Sequence, residues 1–162
     1  MTTRMAQSAQ QQPAAPAAPE TVNFRTLLSK PTDEAERPKS LPTGHYIGTI
    51  LSHEFGKTRG KQTDFVRFNI RIEEPCDDVS VDDCKGIDFS RRELRKDYFI
   101  TPNAVYRLSD ALDAILGKET GRSFDDRIPN MNGQRVQVGV TPRLMEDGTD
   151  SGYNEVTTLV AA

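Results

Sequence analysis

The sequence predicts a mainly β domain whose elements follow in the order strand, strand, strand, helix, strand, strand. Two observations support this prediction. After residue 43, apolar and polar residues alternate in five runs, and one stretch between the third and fourth runs has helical spacing instead. This is the chain order of an OB-fold, so we expect a five-stranded Greek-key barrel with the helix at an open end. A five-stranded open sheet is the alternative.

The first two predicted strands are separated by a turn. The first strand covers residues 44–55, and residues 56–61 form the turn because they include two glycines and no apolar residue. In the second strand every second residue is apolar, in the order Val66, Phe68, Ile70 and Ile72. Because successive side chains of a strand point to opposite faces, the intervening residues should point outward: Phe65, Arg67, Asn69 and Arg71.

A third strand and a helix follow an acidic stretch. Residues 75–88 contain five aspartates and one lysine, which predicts a solvated loop, and the third strand covers residues 91–100. Thr101 and Pro102 predict the helix start, because a hydroxyl residue caps a helix and proline suits the first helical position. Gly117 ends the helix, whose apolar residues recur at three- and four-residue spacings: Val105, Leu108, Leu112, Ile115 and Leu116.

The fourth and fifth predicted strands form a hairpin at the end of the chain. Val136, Val138 and Val140 alternate with other residues in the fourth strand, and residues 153–160 form the fifth. The connection between them contains glycines at positions 148 and 152, which is typical of a hairpin turn.

The first 40 residues differ in composition from the rest. Residues 1–20 are rich in Gln, Ala and Pro and predict a disordered tail. Residues 22–28 form a short apolar island, followed by a charged linker with several prolines. The island is either a helical turn docked on its own domain or a short segment that binds a partner or a neighbouring subunit. We therefore divide the chain into a tail and linker, 1–40, and an OB-fold-like domain, 41–162.

Composition restricts the class of protein. Hydrophobic residues make up 35% of the 162 residues and the mean hydropathy is -0.62, values that favour one small core with a disordered appendage. The formal net charge of -3 provides no overall attraction to nucleic acid, so such binding would require a local basic patch. The sequence contains no signal-peptide or membrane-spanning pattern, which predicts a soluble cytoplasmic protein.

Motifs of catalysis and metal binding are missing from the sequence. It contains no Walker loop, no G-x-S-x-G, no H-E-x-x-H and no G-x-G-x-x-G, so we expect no enzyme activity and no cofactor. The Asp-rich loop lacks EF-hand spacing, and the cysteines and histidines lack the C-x2-C and H-x3-H pairs of zinc sites. We expect no metal site, and no disulfide between Cys76 and Cys84.

Aromatic and basic residues together predict a nucleic-acid-binding surface. Aromatic rings stack on bases, and guanidinium groups either contact phosphates or stack on bases themselves. The candidates lie in the first turn, on the outward face of the second strand and on the third strand: Lys57, Arg59, Lys61, Phe65, Arg67, Arg71, Arg91, Arg95 and Phe99. The alternative is a solvated face on which Arg67 and Arg71 pair across strands with Glu73, Glu93 or Asp97.

Five segments carry a resemblance to a known group of proteins: residues 27–31 (LLSKP), 36–46 (ERPKSLPTGHY), 97–102 (DYFITP), 121–124 (GRSF) and 133–136 (GQRV). They resemble small bacteriophage proteins described as single-stranded DNA-binding proteins of replication modules, over residues 22 to 160. The resemblance implies a role in phage DNA replication or recombination in the host cytoplasm, with replication or recombination proteins as partners. The chain departs from several such proteins because residues 157–162 (TTLVAA) are not an acidic tail.

Two functional hypotheses follow from the sequence. The favoured one is a non-catalytic protein that binds single-stranded DNA, alone or as a homo-oligomer. The alternative is a small β-barrel that uses the apolar island and its edge strands to bind a phage or host protein. The acidic net charge favours the alternative.

Overall fold

The computed structural model describes residues 24–35 and 37–162, and no helix within those ranges has the length and apolarity to cross a bilayer. The described residues up to 35 and those from Arg37 onward belong to two compact units. The first contains α1 (Phe24–Leu28) and a 3-10 helix (Thr32–Glu34). The predicted disordered tail, residues 1–20, and the first two residues of the apolar island lie outside the described ranges.

The second unit is built on one antiparallel sheet of five strands. Its elements are β1 (Gly44–Lys57), β2 (Asp64–Pro75), β3 (Glu93–Phe99), α2 (Val105–Leu116), α3 (Phe124–Arg127), β4 (Arg135–Leu144) and β5 (Asp150–Ala161). The strand order in the sheet is β3-β2-β1-β4-β5, which places the fourth strand beside the first as in a Greek key. The prediction of a mainly β domain with five strands, and a helix between the third and fourth, is confirmed.

The core lies on the inward face of the sheet. On β2, Val66, Phe68 and Ile70 have no exposed surface and Ile72 is 1% exposed, which confirms the face predicted from the alternation. The ring of Phe68 meets that of Tyr98 on β3 edge-on, with centroids 6.0 Å apart. Helix α2 covers this core with three buried residues: Leu108, Ala111 and Leu112. Each large side chain buried in this way contributes about 1.5–3 kcal/mol through the apolar area it removes from water.

A bulge in β1 changes which positions face the core. Ile50 is opposite Ile70 and Ser52 is opposite Asn69, so Leu51 is an extra residue between them. Ile50 before the bulge is fully buried. After the bulge Phe55 is opposite the inward residue Val66, yet it is 59% exposed because it lies near the end of the hairpin.

Several predicted element boundaries are wrong. Strand β1 extends to Lys57 rather than ending at residue 55, and β5 covers Asp150–Ala161 rather than residues 153–160. The third strand begins at Glu93 rather than at residue 91, because Phe89–Arg91 is a 3-10 helix whose first turn is capped by the Asp88 carboxylate. Helix α2 begins at Val105, whereas the prediction had Thr101 as the cap and Pro102 as the first helical residue. The carbonyl of Thr101 accepts hydrogen bonds from the N–H groups of Ala104 and Val105, so these residues form a turn first. The predicted helix end at Gly117, with φ +89°, is confirmed.

The two edges of the sheet, β3 and β5, approach one another. In the described part of the chain no backbone ladder joins them, so the sheet is not closed. One side chain spans the gap, since Lys96 Nζ on β3 donates to the carbonyl oxygen of Val156 on β5 at 3.0 Å.

The segment before β1 is tied to β5. The amide side chain of Asn154 accepts from Leu41 N and donates to Leu41 O, both at 2.9 Å. The Asp150 carboxylate accepts from the N–H of Ser40 at 3.1 Å and from its hydroxyl at 2.8 Å. Ser40 and Leu41 are therefore part of the folded sheet domain, and both are buried.

Candidate nucleic-acid interface

Strand register brings five of the predicted binding residues onto the outward face of β2 and β3. Directly opposite pairs in an antiparallel sheet share a face, and here the pairs are Phe65 with Phe99, Arg67 with Asp97, Asn69 with Arg95, and Arg71 with Glu93. The face opposite the core therefore contains two aromatic residues at one end and three arginines along its length.

The two aromatic rings differ in accessibility. The ring of Phe65 lies over Gly56 on β1, where an added Cβ would be only 2.7 Å from a ring carbon and would displace the ring. The guanidinium carbon of Arg67 is 5.0 Å from the centroid of the same ring. Phe65 is consequently half-buried, whereas Phe99 is 44% exposed and presents the more accessible ring.

Arg67 is engaged in a cross-strand ion pair. Its Nε and Nη2 atoms donate to the two carboxylate oxygens of Asp97 at 2.7 and 2.8 Å, and Glu54 Oε1 is 3.8 Å from Nη1. The hydrogen bond to Asp97 raises the pKa of Arg67. This bidentate geometry holds the guanidinium firmly. For Arg67 the alternative of cross-strand pairing is therefore correct, with Asp97 as the partner, and this guanidinium is not free to contact a phosphate.

Arg71 and Arg95 are exposed on the same face and differ from Arg67 in their partners. Within the described ranges neither makes an ion pair or a side-chain hydrogen bond, although Glu93 lies opposite Arg71 in the register. The side chain opposite Arg95 is Asn69, whose amide donates to Ser52 Oγ at 3.1 Å. Both guanidinium groups are thus available to an anion.

The basic turn lies at the aromatic end of this face, because β1 ends at Lys57 opposite Asp64, next to Phe65. Lys57 Nζ is 2.7 Å from Asp64 Oδ1, which neutralises part of its charge. Arg59 and Lys61 are exposed within the turn, and neither makes an ion pair in the part of the chain that the structure describes. Two of the three predicted turn cations are therefore available beside the rings.

Arg91 does not lie on the outward face of β3. It belongs to the 3-10 helix before that strand, its side chain is 86% exposed, and its Nε is 3.5 Å from Asp88 Oδ2. The Asp88 side chain accepts a hydrogen bond from Ser90 N, and this local capping competes with extended backbone at Arg91.

The structure adds three residues that the sequence analysis did not select. Tyr153 on β5 is 72% exposed, Arg143 on β4 lies opposite it, and Arg107 lies in the first turn of α2. All three line the space between β3 and β5. The sequence signal that could have identified Tyr153 is the alternation of faces in β5. Tyr153 and Glu155 share the exposed face, and Val156 is on the buried face.

The Asp-rich loop has a structural role at the start of β1. The Asp78 carboxylate accepts from His45 N and lies 2.8 Å from His45 Nδ1, and these hydrogen bonds lower the pKa of Asp78. Cys76 and Cys84 are free thiols. Among residues 24–35 and 37–162, no group of three or more His, Cys, Asp or Glu side chains is arranged to hold a metal ion.

The candidate interface is the outward face of β2 and β3 together with the β1–β2 turn. It contains the rings of Phe65 and Phe99, and four cations that have no ion pair within the described ranges: Arg59, Lys61, Arg71 and Arg95. No protein-family model matches this chain, and no curated protein matches it either.

Proposed function

We propose that this protein binds single-stranded DNA without catalysing a reaction, through the outward face of β2 and β3. The observation that supports this most strongly is the opposition of Phe65 and Phe99 across the two strands, beside the basic turn. Unpaired bases offer faces for such rings, and the neighbouring cations suit the phosphates between the bases.

The expected energetics follow from the groups that are available. Stacking on an aromatic side chain contributes about 1–3 kcal/mol per base. Each phosphate contact releases counterions and steepens the dependence of affinity on salt by about 0.7 logarithmic units for a single strand. The four available cations would thus give a slope near -3, and these local charges, rather than the net charge of -3, would provide the attraction to DNA.

We also propose that the sheet is an OB-fold barrel opened between β3 and β5. The order β3-β2-β1-β4-β5 supports this, because joining its two ends would give a closed five-stranded barrel. The resemblance to small phage proteins supports a place in DNA replication or recombination in the host cytoplasm. Coating an exposed single strand is a role that needs affinity for the backbone and little sequence preference.

Fluorescence anisotropy with labelled oligo-dT tests this function. The wild-type protein should bind with micromolar or lower Kd at about 50 mM salt and much more weakly at about 200 mM. The double variant Phe65→Ala, Phe99→Ala should bind at least roughly tenfold more weakly. Phe55→Ala is the matched control, because Phe55 is also an exposed ring but lies on the other face of the same hairpin.

Three results would count against the proposal. The first is an absence of binding by wild-type protein at low salt, which would rule out the function. The second is an equal loss in the Phe55 control and in the double variant, which would rule out the face. Binding that is indifferent to salt would contradict the contribution of phosphate contacts.

A second candidate function is protein interaction through α1. Phe24 is 78% exposed and Leu28 is 84% exposed, so a five-residue helix presents apolar side chains to solvent. We propose a neighbouring copy of this chain as its partner in that case. Light scattering should then show an oligomer that the double variant Phe24→Asp, Leu28→Asp converts to monomer, whereas the affinity of each chain for oligo-dT should not change.

A further inference from the structure

The gap between the sheet edges forms a continuous groove. Two cavities of about 690 and 600 Å³ lie along it, and both are lined by Arg95 on β3 and by Tyr153 and Asn154 on β5. The first extends toward the segment before β1, and the second extends toward the first turn of α2. We call this space the β3–β5 groove.

The charge of the groove is opposite to that of the chain. Seven different Lys and Arg side chains line the two cavities, against four Asp and Glu side chains. The whole chain has more acidic than basic residues, with 24 against 21. A concave surface with an excess of cations focuses its field on anions more than a flat surface does.

Only some of these cations are available to a ligand. Lys96 and Arg92 donate to the backbone carbonyls of Val156 and Lys39. Within the described ranges Arg95 and Arg143 make no ion pair and no side-chain hydrogen bond, and both are exposed. Arg107 donates to the hydroxyl of its neighbour Tyr106, at 3.2 Å, which leaves its charge unneutralised. Arg95, Arg107 and Arg143 come from three different elements that border one cavity.

An exposed aromatic ring stands on each side of the groove. Phe99 on β3 is 44% exposed and Tyr153 on β5 is 72% exposed, and both line the second cavity. Arg143 lies directly opposite Tyr153 in the β4–β5 ladder, so the ring and the cation share a face. A ring beside an available arginine, as on the β5 side, suits an unpaired base followed by its phosphate.

We propose that the β3–β5 groove is a second part of the DNA site and the path of the single strand beyond Phe99. Arg95, Arg107 and Arg143 contact its phosphates, and one base stacks on the ring of Tyr153. The proposal rests on the single-stranded DNA binding proposed above. It extends the site from the outward face of β2 and β3 across the gap to β5.

A tryptophan reporter tests the stacking directly. The chain contains no tryptophan, so Tyr153→Trp introduces a single one whose fluorescence a stacked base should quench. Oligo-dT should quench this variant by at least roughly one half at saturation. Phe124→Trp is the control, because Phe124 is also exposed but does not line either cavity, and its quenching should be slight.

Affinity measurements on the full chain test the cations. Arg143→Ala should weaken oligo-dT binding roughly tenfold and make the salt slope shallower by about 0.7. Tyr153→Ala should weaken binding to a similar extent, and Tyr153→Phe should keep it near the wild-type value. Lys118→Ala removes an exposed cation outside the groove and should change the affinity less than twofold.

The outcomes separate this inference from the function on which it rests. Suppose that wild-type protein binds oligo-dT, that Tyr153→Ala and Arg143→Ala bind equally well, and that the tryptophan of the Tyr153→Trp variant is not quenched. The groove is then not the path, and the outward face alone binds. If wild-type protein does not bind at all, the proposed function is wrong and the inference is wrong with it. Weaker binding by both alanine variants, with Lys118→Ala unchanged, supports the inference.

Discussion

The outward face of β2 and β3 and the β3–β5 groove both contain aromatic rings and arginines. The two regions differ in whether a central arginine is held in an ion pair. On the face, Arg67 is locked to Asp97 on the neighbouring strand. Along the groove, Arg95 and Arg143 have no such partner within the described ranges. A hydrogen-bonded ladder places residues of adjacent strands directly opposite each other, so opposite charges pair readily. Arg95 lies opposite Asn69 and Arg143 lies opposite Tyr153 in their ladders, so neither arginine has a carboxylate directly across the strand and both cations remain available.

The same comparison applies to the core beneath the two regions. Phe68 is fully buried under the ladder between β2 and β3, whereas Val156 is 3% exposed on β5 at the open side. Side chains at the centre of a ladder have packed neighbours on both adjacent strands, and side chains at an edge have neighbours on one. The ladder side should therefore contribute more of the folding free energy.

The largest expected effect concerns this difference in stability. Phe68→Ala should lower the free energy of unfolding by about 3–5 kcal/mol, because it leaves a cavity in the core. Val156→Ala should lower it by roughly 2 kcal/mol. Urea unfolding followed by circular dichroism measures both. Val66→Ala removes the same two methyl groups from the ladder side and is the size-matched comparison. A loss equal to that of Val156→Ala would show that the open side is packed as tightly as the ladder side.

The next effect is a dependence of stability on alkaline pH. Burial raises the pKa of Tyr98, on the β3 side of the gap, from its ordinary value of 10.0 to about 12. As the pH rises, Tyr98 therefore loses its proton in the unfolded state before it does so in the folded state. Its contribution to the free energy of unfolding is complete below pH 10 and is lost as the pH rises toward 12, with a total loss of roughly 3 kcal/mol. Tyr98→Phe should remove that part of the slope.

Urea unfolding at several pH values between about 9 and 12 measures this slope. Burial also raises the pKa of Tyr46, so some alkaline destabilisation should persist in the Tyr98→Phe variant. Tyr153→Phe is the control, because Tyr153 is mostly exposed. Identical slopes in wild type and in Tyr98→Phe would show that Tyr98 is not buried as described.

A smaller effect is expected at the bridge across the gap. Lys96→Met removes the hydrogen bond to the Val156 carbonyl and should lower the free energy of unfolding by about 1–2 kcal/mol. Hydrogen exchange should become faster in β5 near Val156. Lys118→Met, at an exposed position without an ion pair in the described residues, should leave both measurements unchanged. A matching loss in both variants would refute a bridging role.

The smallest effect is a gain of DNA affinity on the paired face. Asp97→Asn releases Arg67 and should tighten oligo-dT binding roughly threefold, because a half-buried ion pair within the protein is exchanged for an ion pair with a phosphate. The salt slope should steepen by about 0.7. Glu93→Gln makes the same change of charge on β3 without releasing a paired arginine, so its effect should be smaller. Equal effects would attribute the gain to net charge alone.

The sequence allowed prediction of those parts of the fold that depend on local pattern. Alternation in β2 identified Val66, Phe68, Ile70 and Ile72 as core residues, and it also placed Phe65 and Arg67 outward. The exact partner of Arg67 was one of three candidates, because register depends on which residues the turn and the third strand bring opposite each other.

Other parts depend on contacts that no local pattern reveals. The bulge at Leu51 changes the facing of β1 without any interruption in composition. Asp88 caps a short 3-10 helix through its side chain. Arg91 is therefore part of that helix and not of the third strand, where it was predicted. Tyr153 and Arg143 became candidates only when β3 and β5 proved to be the sheet edges, which is a property of tertiary structure.

The hydrogen bond from Lys96 across the gap between β3 and β5 differs from the hydrogen bonds of a ladder in its donor. In a ladder every donor is a backbone amide, which no side-chain substitution removes. Here one donor that reaches across to Val156 belongs to a side chain, so a single codon change can delete it. A substitution at this one position therefore removes a link between the two sheet edges and leaves the backbone hydrogen bonds of both strands in place.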